Sequence, residues 1–321
     1  MRYLVTGGSG YVGSRVVERL AAGKKADAVV NADLRPPEFQ PQGSSYRQLD
    51  VREADALTAT IVEERPDVLL HMAFVVDPTH DEPDMYDTNV NGTFNVLAAA
   101  AASGIGRVAV TSATMAYGPW PNNPVPISES QPVHGHARYV YARHAAEADR
   151  IAQLWATLHR QRTMTIIRPC TVFGPGADNH LVRMWESQAF FPDFGTGDQP
   201  TQFIHVDDAV EGIAQLLETQ QPGVFNLTPD GEITWHQCAA LAGLEVRGVR
   251  EESFTGLTSG MWRLKMPNVE IPPSFVDFFK YPFLASNDRI KQALPTWEPQ
   301  HTSKDVFEQM IHRLKATRSA V

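Results

Sequence analysis

From residue 3 to residue 168 the chain alternates short, continuously apolar runs with stretches whose apolar residues return every three or four positions. The runs at 3–6, 28–33, 68–72, 108–112 and 164–168 have strand length, and their continuity predicts strands covered on both faces. The helical period predicts helices over 11–22, 54–64, 85–103 and 139–159, each crossover long enough for a right-handed βαβ connection. The expected fold class is α/β, a doubly wound parallel sheet with helices on both sides.

Beyond Pro169 the pattern breaks. Gly174-Pro175-Gly176, Pro192, Pro200, Pro222, Pro229 and the 267–273 stretch cut the chain into pieces too short for a second sheet of that kind. The expected organisation is a first domain over 1–176 and a smaller α/β substrate lobe over 177–205 and 229–321, with 206–228 returning to the first domain.

Composition narrows the classes. With 321 residues, 43% of them apolar, the chain can close a core without staples. Cys170 and Cys238 fit no disulfide framework and no metal spacing, which points to core thiols in a reducing compartment. No run approaches the ~20 apolar residues of a spanning helix, and the opening residues run directly into a strand, so a cytoplasmic, unprocessed protein is expected. A net charge of -9 argues against nucleic acid as a partner. The eleven histidines show no HExxH or similar spacing, so no metal is expected. His71 and His205, inside strands, read as satisfied core groups, and His144 as facing away from the cleft.

Residues 6–13 read TGGSGYVG between an apolar strand and an amphipathic helix. Gly7 allows the tight turn, Gly10 a close approach of backbone to a pyrophosphate, and Gly13 close packing of helix on strand. The helix opening at Tyr11 and Val12 supplies free N–H groups and a positive dipole end. Asp33 follows Gly13 by 20 positions, where a carboxylate takes hydrogen bonds from an adenosine ribose. That pattern is a Rossmann dinucleotide site. Asp33 would repel a 2′-phosphate, so NAD is expected in preference to NADP, with Arg35 the nearby residue able to reverse it.

TGGSGYVG, LDV at 49–51, LLHMA at 69–73, NVNGTFNVL at 89–97, IIRPCTVFGPG at 166–176 and FIHVDDA at 203–209 together resemble the extended short-chain dehydrogenase/reductase family, in its NAD-dependent epimerase/dehydratase branch. The resemblance implies that Asp50 and Val51 flank the adenine, that Met72, Ala73, Phe74 and Asn89 line the cofactor cleft, and that Pro169 lies near the nicotinamide. It also implies an active site of a Ser or Thr after the fifth strand and a YxxxK pair on the next helix. Here Tyr139 and Arg143 occupy the pair, the arginine in place of lysine. The tyrosine would exchange a proton with substrate while the cation depresses its pKa. Ala113 stands where the hydroxyl is expected, flanked by Ser112 and Thr114.

The same resemblance bears on substrate. Sugar 4,6-dehydratases carry an acid and a base where this chain has Thr114 and Met115, so that elimination is not expected. Nucleotide-sugar members hold the diphosphate with an arginine where Gln202 stands and another late in the chain, yet no arginine lies between Met266 and Asp288. The second lobe is instead rich in bulky apolar groups, among them Phe254, Met261, Trp262, Phe275, Phe278 and Phe283. The expectation is an NAD-dependent oxidoreductase or epimerase-like enzyme acting on the hydroxyl or carbonyl of a small or apolar substrate, with a homodimer as family resemblance suggests. A non-catalytic NAD-binding or sensor protein and a nucleotide-sugar epimerase are the alternatives.

Overall fold

The structure, a computed structural model, describes residues 1–266, 269 and 271–319. Part of the 267–273 stretch therefore lies outside the described residues. Seven strands form one sheet: β1 (Arg2–Thr6), β2 (Ala28–Asp33), β3 (Ser44–Gln48), β4 (Val68–His71), β5 (Arg107–Thr111), β6 (Thr163–Pro169) and β7 (Gly223–Leu227). Their order is β7-β6-β5-β4-β1-β2-β3, and every neighbouring pair is parallel. The chain runs outward from β1 to β3, then crosses back to β4, so the crevice at the carboxyl ends of β1 and β4 is the switch point where such sheets bind ligands.

Alternation along the strands sorts the core into two layers. Leu4, Val30, Leu69, Val108 and Ile166 point to one face, covered by Leu57 and Ile61 of α2 (Ala54–Glu64), Val96 and Leu97 of α3 (Gly92–Ala102) and Trp155 of α4 (Val140–Leu158). Tyr3, Val5, Val29, Ile167 and Phe225 point to the other. There they meet Val16, Val17 and Leu20 of α1 (Tyr11–Ala22) and, beyond helix α5 (His180–Ser187) in the chain, Ile213 and Leu216 of α6 (Val206–Thr219). The continuous apolar runs in the sequence follow from these two covered faces.

β3 is absent from the sequence-based reading because its residues, SSYRQ, form a half-exposed polar edge strand with no apolar run. The helix expected over 85–103 begins earlier, as Glu82–Tyr86, and passes through a π turn, Asp87–Asn91, into α3. Among the described residues, three two-stranded ladders lie outside this sheet, beside an aromatic core in which Trp185, Phe191 and Trp235 stack with ring centroids about 6 Å apart. Phe275, Phe278, Phe279 and Phe283 are buried in it, whereas Phe254, Met261 and Trp262 remain partly exposed. Cys170 and Cys238 are buried free thiols.

His71 ties the sheet to α3. Its Nδ1 lies 2.7 Å from Thr6 Oγ1 and its Nε2 3.0 Å from Thr93 Oγ1. Thr93 spends its proton on the Asn89 carbonyl at 2.6 Å, so it accepts from His71 Nε2–H, and Thr6 donates to Nδ1. Burial lowers the His71 pKa to about 4. The unfolded chain takes up this proton as pH falls below its ordinary value of 6.5, the folded chain only near pH 4, so stability present above pH 6.5 is lost between the two. The loss is on the order of 3 kcal/mol. Urea midpoints at pH 7 and pH 5 should fall apart in the wild type and draw together in His71→Asn; parallel curves would assign the slope to other groups.

Candidate active site

The glycine-rich loop is shaped by contacts that leave no room for side chains. Gly7 has φ +74°, and a Cβ there would stand 2.4 Å from the Ala73 nitrogen. A Cβ on Gly13 would stand 2.2 Å from the Gly7 carbonyl oxygen, and one on Gly8 2.4 Å from Asn31 Oδ1. Gly10, the N-cap of α1, differs: its Cβ would meet only the Gly7 carbonyl oxygen, at 3.3 Å. Gly7, Gly8 and Gly13 shape the loop itself, while Gly10 has that single near contact at a helix N-terminus that suits an anion.

Beside this loop the Asp33 carboxylate is fixed by the Ser9 N–H at 3.0 Å and the Arg35 N–H at 3.1 Å, while the Arg35 side chain stays exposed. Val12 packs against the α1 side of the core, as does Met72, whose N–H donates to the Thr6 carbonyl at 2.9 Å. Asp50 is gripped by Arg52, with Nη2 at 2.6 Å, and that pairing outweighs its partial burial in holding the carboxyl below the usual range. Val51 is buried against Gly92. The Asn89 amide clamps the Val75 backbone, accepting from its N–H at 2.6 Å and donating to its carbonyl at 2.9 Å. Asn89 therefore orders the segment after β4 that carries Ala73 and Phe74. Pro169 closes β6 opposite Leu227.

Three hydroxyls near the carboxyl edge of the sheet are buried without a partner among the described residues: Thr111 Oγ1, at the end of β5, Ser112 Oγ, just past it, and Tyr11 Oη, at the head of α1. Buried hydroxyls are nearly always hydrogen-bonded, so orphans gathered at the carboxyl edge of the sheet mark a site that a polar ligand completes. Ala113 continues the extended backbone (φ -156°, ψ 156°), and Thr114 is buried in the 3-10 turn Thr114–Tyr117 together with Met115.

Tyr139 and Arg143 do not form the expected pair. Tyr139 is the extended N-cap of α4 (φ -101°, ψ 103°), outside the regular helix in which i and i+4 side chains meet. Its hydroxyl lies 3.2 Å from His180 Nε2, and its ring is boxed edge-on by Phe275 and Phe278. Arg143 instead donates to the Ala137 carbonyl at 2.7 Å and pairs with Glu82. Burial pushes the Tyr139 pKa well above 10, and the neighbouring Tyr141 and Asp77 push it the same way.

Three residues that local sequence patterns do not single out stand here. His180 and Asp77 extend from the Tyr139 hydroxyl, as described below. Tyr141 sits edge-on to Phe74, ring centroids 5.8 Å apart, and burial pushes its pKa up to about 12. His144 is buried against Tyr86, with neither ring nitrogen bonded, and burial lowers its pKa. His205 caps α6 and stacks on His301, ring centroids 4.1 Å apart. No cluster of metal-ligating side chains occurs among the described residues.

On the lobe side, Gln202 spends its amide on the Ala285 backbone, accepting from its N–H at 2.9 Å and donating to its carbonyl at 3.2 Å. Arg183 pairs with Asp77 and Asp178, Arg138 with Asp277, and Lys280 with Glu251 and Asp277. A cavity of about 600 Å³ opens beside the head of α4, lined by Trp120, Asn123, His134, His136 and Arg143 among others.

The family model described as "NAD dependent epimerase/dehydratase family" matches residues 3–228. The chain is 28% identical over 255 residues to UDP-glucuronic acid decarboxylase 6 of Arabidopsis thaliana, covering 74% of this chain and 72% of that one. It is 28% identical over 242 residues to the N-acetyl-alpha-D-glucosaminyl-diphospho-ditrans,octacis-undecaprenol 4-epimerase of Escherichia coli O157:H7, covering 74% and 70%. The solved UDP-glucose 4-epimerase of Thermus thermophilus in complex with NAD shares the fold over 100% of both chains, with a TM-score of 0.73 and 20% identity.

Proposed function

Because the chain belongs to the NAD-dependent epimerase/dehydratase family of extended short-chain dehydrogenases/reductases, we propose that it transfers hydride at a hydroxyl or carbonyl of a substrate without a diphosphate, with Tyr139 as the proton-exchanging group. The observation that carries this reading is the set of unpartnered hydroxyls, Thr111, Ser112 and Tyr11, at the carboxyl edge of a sheet whose glycine loop has a single near contact at Gly10. Gly10 and the α1 N-terminus would hold the pyrophosphate and Asp33 the ribose. NAD supplies the hydride acceptor and donor when bound. Ser112 would offer a hydrogen bond at the reacting end, where Ala113 cannot.

The absence of a diphosphate rests on Gln202, occupied by the Ala285 backbone, and on three cations, Arg183, Arg138 and Lys280, each facing a carboxylate. The names of the relatives favour a second reading, a nucleotide-sugar epimerase. Two readouts separate them after adding UDP-glucose, UDP-galactose, UDP-glucuronic acid or a series of secondary alcohols to the NAD-loaded protein: NADH absorbance, and the nucleotide-sugar products resolved by chromatography, because an epimerase returns its hydride within each turnover. Reduction by the alcohols alone supports the first reading, turnover of a UDP-sugar at micromolar concentration the second. Bound NAD that no compound reduces, with every UDP-sugar recovered unchanged, would leave a non-catalytic binder. With a compound that is turned over, Tyr139→Phe should cost ~10²- to 10⁴-fold in kcat with NAD affinity unchanged, whereas Tyr141→Phe should cost far less. An unaffected Tyr139→Phe removes the assignment.

No helix among the described residues is long and apolar enough to cross a membrane. For self-association, the helix pair α3 and α4 leaves Phe94, Leu154 and Leu158 more than half exposed, which supports a homodimer through that layer; a monomeric mass in sedimentation would remove it.

A further inference from the structure

We propose that His180 and Asp77 form a proton relay with Tyr139, taking the part that a neighbouring cation would otherwise play; this rests on Tyr139 exchanging the proton. The three residues come from separate elements: Tyr139 from the cap of α4, Asp77 from the segment after β4, and His180 from the head of α5. His180 is buried, its side chain only 2% exposed. Its Nδ1 lies 3.0 Å from Asp77 Oδ1, which also accepts the His180 backbone N–H at 3.1 Å, while Arg183 donates to Asp77 Oδ2 at 2.7 Å.

These partners fix the tautomer. An ionised carboxylate can only accept, so Nδ1 carries the proton and Nε2 turns its lone pair to the Tyr139 hydroxyl at 3.2 Å. Asp77 remains ionised: its partial burial pulls its pKa up, but the hydrogen bonds from His180 and Arg183 hold it well below the usual carboxylate range. Burial between Phe275 and Phe278 disfavours a free phenolate at Tyr139, and among the described residues no cation is bonded to its hydroxyl.

The step balances as follows. A substrate hydroxyl passes its proton to the Tyr139 oxygen while Tyr139 passes its own to His180 Nε2, and the imidazolium that forms lies against the Asp77 carboxylate. The hydride lost by the substrate carbon goes to NAD, leaving a carbonyl. On reduction of a carbonyl the same protons return. The phenol never stands as a free phenolate, which its surroundings disfavour. Among the described residues, the charged and titratable groups facing the relay include Asp77, Arg183 and, through Arg183, Asp178 on one side, with Tyr141 beside the phenol on the other.

Two measurements test it. In protein labelled with 15N-histidine, without substrate, His180 should carry its proton on Nδ1, and Tyr139→Phe should move the Nε2 resonance. In the NADH assay with a reacting alcohol, His180→Gln, which can still accept a hydrogen bond but cannot take a proton, should slow turnover at least ~100-fold with NAD affinity within about twofold of wild type. Asp77→Asn should carry the acid limb of the kcat/KM profile to lower pH, which a purely structural contact would not do. Imidazole should restore part of the rate to His180→Gly. An Nε2–H tautomer, or a His180→Gln protein with the wild-type rate and profile, overturns the relay. If no compound is turned over by the wild type, the functional reading fails and the relay with it; in a protein that does turn over, the tautomer and the His180→Gln rate decide the relay alone.

Discussion

Asp149→Ala should lower the thermal midpoint by roughly 10 °C, the consequence of leaving Arg168 charged and alone in the core. Asp149 and Arg168 have side chains 0% and 1% exposed, and they meet through two parallel bonds, Nε to Oδ2 at 2.8 Å and Nη2 to Oδ1 at 2.7 Å. The third guanidinium nitrogen donates to the Tyr117 hydroxyl at 2.7 Å, which in turn donates to Asn226 Oδ1 at 2.8 Å. Desolvation works against the charge on Arg168, but its bonds to Asp149 and Tyr117 outweigh it and raise its pKa. Removing one member of such a pair typically costs about 3–5 kcal/mol, because the survivor keeps its desolvation penalty and loses its compensation. The double variant Asp149→Leu with Arg168→Met removes both charges and should recover much of the loss. If Asp149→Ala melts with the wild type in a calorimeter, water reaches this pair and its isolation is not real. Because Arg168 lies in β6 and Asp149 in α4, the pair fixes the helix whose cap carries Tyr139, and turnover should fall with stability.

The fold was largely legible because its signals are local. The runs at 28–33 and 54–64 match β2 and α2 to the residue, since an apolar strand between two helical layers and an amphipathic helix each write their own period into consecutive positions. β3 was not, because an edge strand needs no apolar run. The glycine loop was legible for the same reason as the strands: its constraint is the backbone of eight successive residues.

The reacting end was legible only as residue types. Tyr139 and Arg143 carry the spacing of a pair, but spacing implies contact only within a regular helix, and α4 begins at Val140. One residue of displacement at a helix start is enough to turn the phenol toward the lobe and the guanidinium toward Glu82. Its partner His180 lies 41 positions away and reaches it only because α5 is folded over the crevice. No single-sequence pattern encodes that distance. Asp77 likewise owes its place to the Asn89 clamp on Val75, a contact supplied by the π turn.

A comparison of Gly10→Ala with Gly13→Ala should separate the part of the loop that builds the fold from the part that receives the cofactor. In Gly13→Ala the new methyl would lie 2.2 Å from the Gly7 carbonyl oxygen and 3.0 Å from Gly8 Cα, both backbone atoms in a loop pinned by Ala73. Relief requires α1 to move off β1, and that breaks the packing of Val16, Val17 and Leu20 on the sheet. A marked loss of stability is expected, of the few kcal/mol typical of severe overpacking, with NAD binding lost as a consequence. Gly10→Ala meets one atom, at 3.3 Å, and has the ordinary backbone of an N-cap (φ -73°, ψ 171°). It should fold with a far smaller loss of stability than Gly13→Ala, since the Gly7 carbonyl need give only a few tenths of an ångström. Its methyl nevertheless stands in the space where a pyrophosphate would lie against the helix N-terminus, so NAD affinity measured by calorimetry should drop at least ~10-fold, about 1.4 kcal/mol. Wild-type affinity in Gly10→Ala would mean that the dinucleotide does not approach the chain there, and the open face of the loop would then need another occupant.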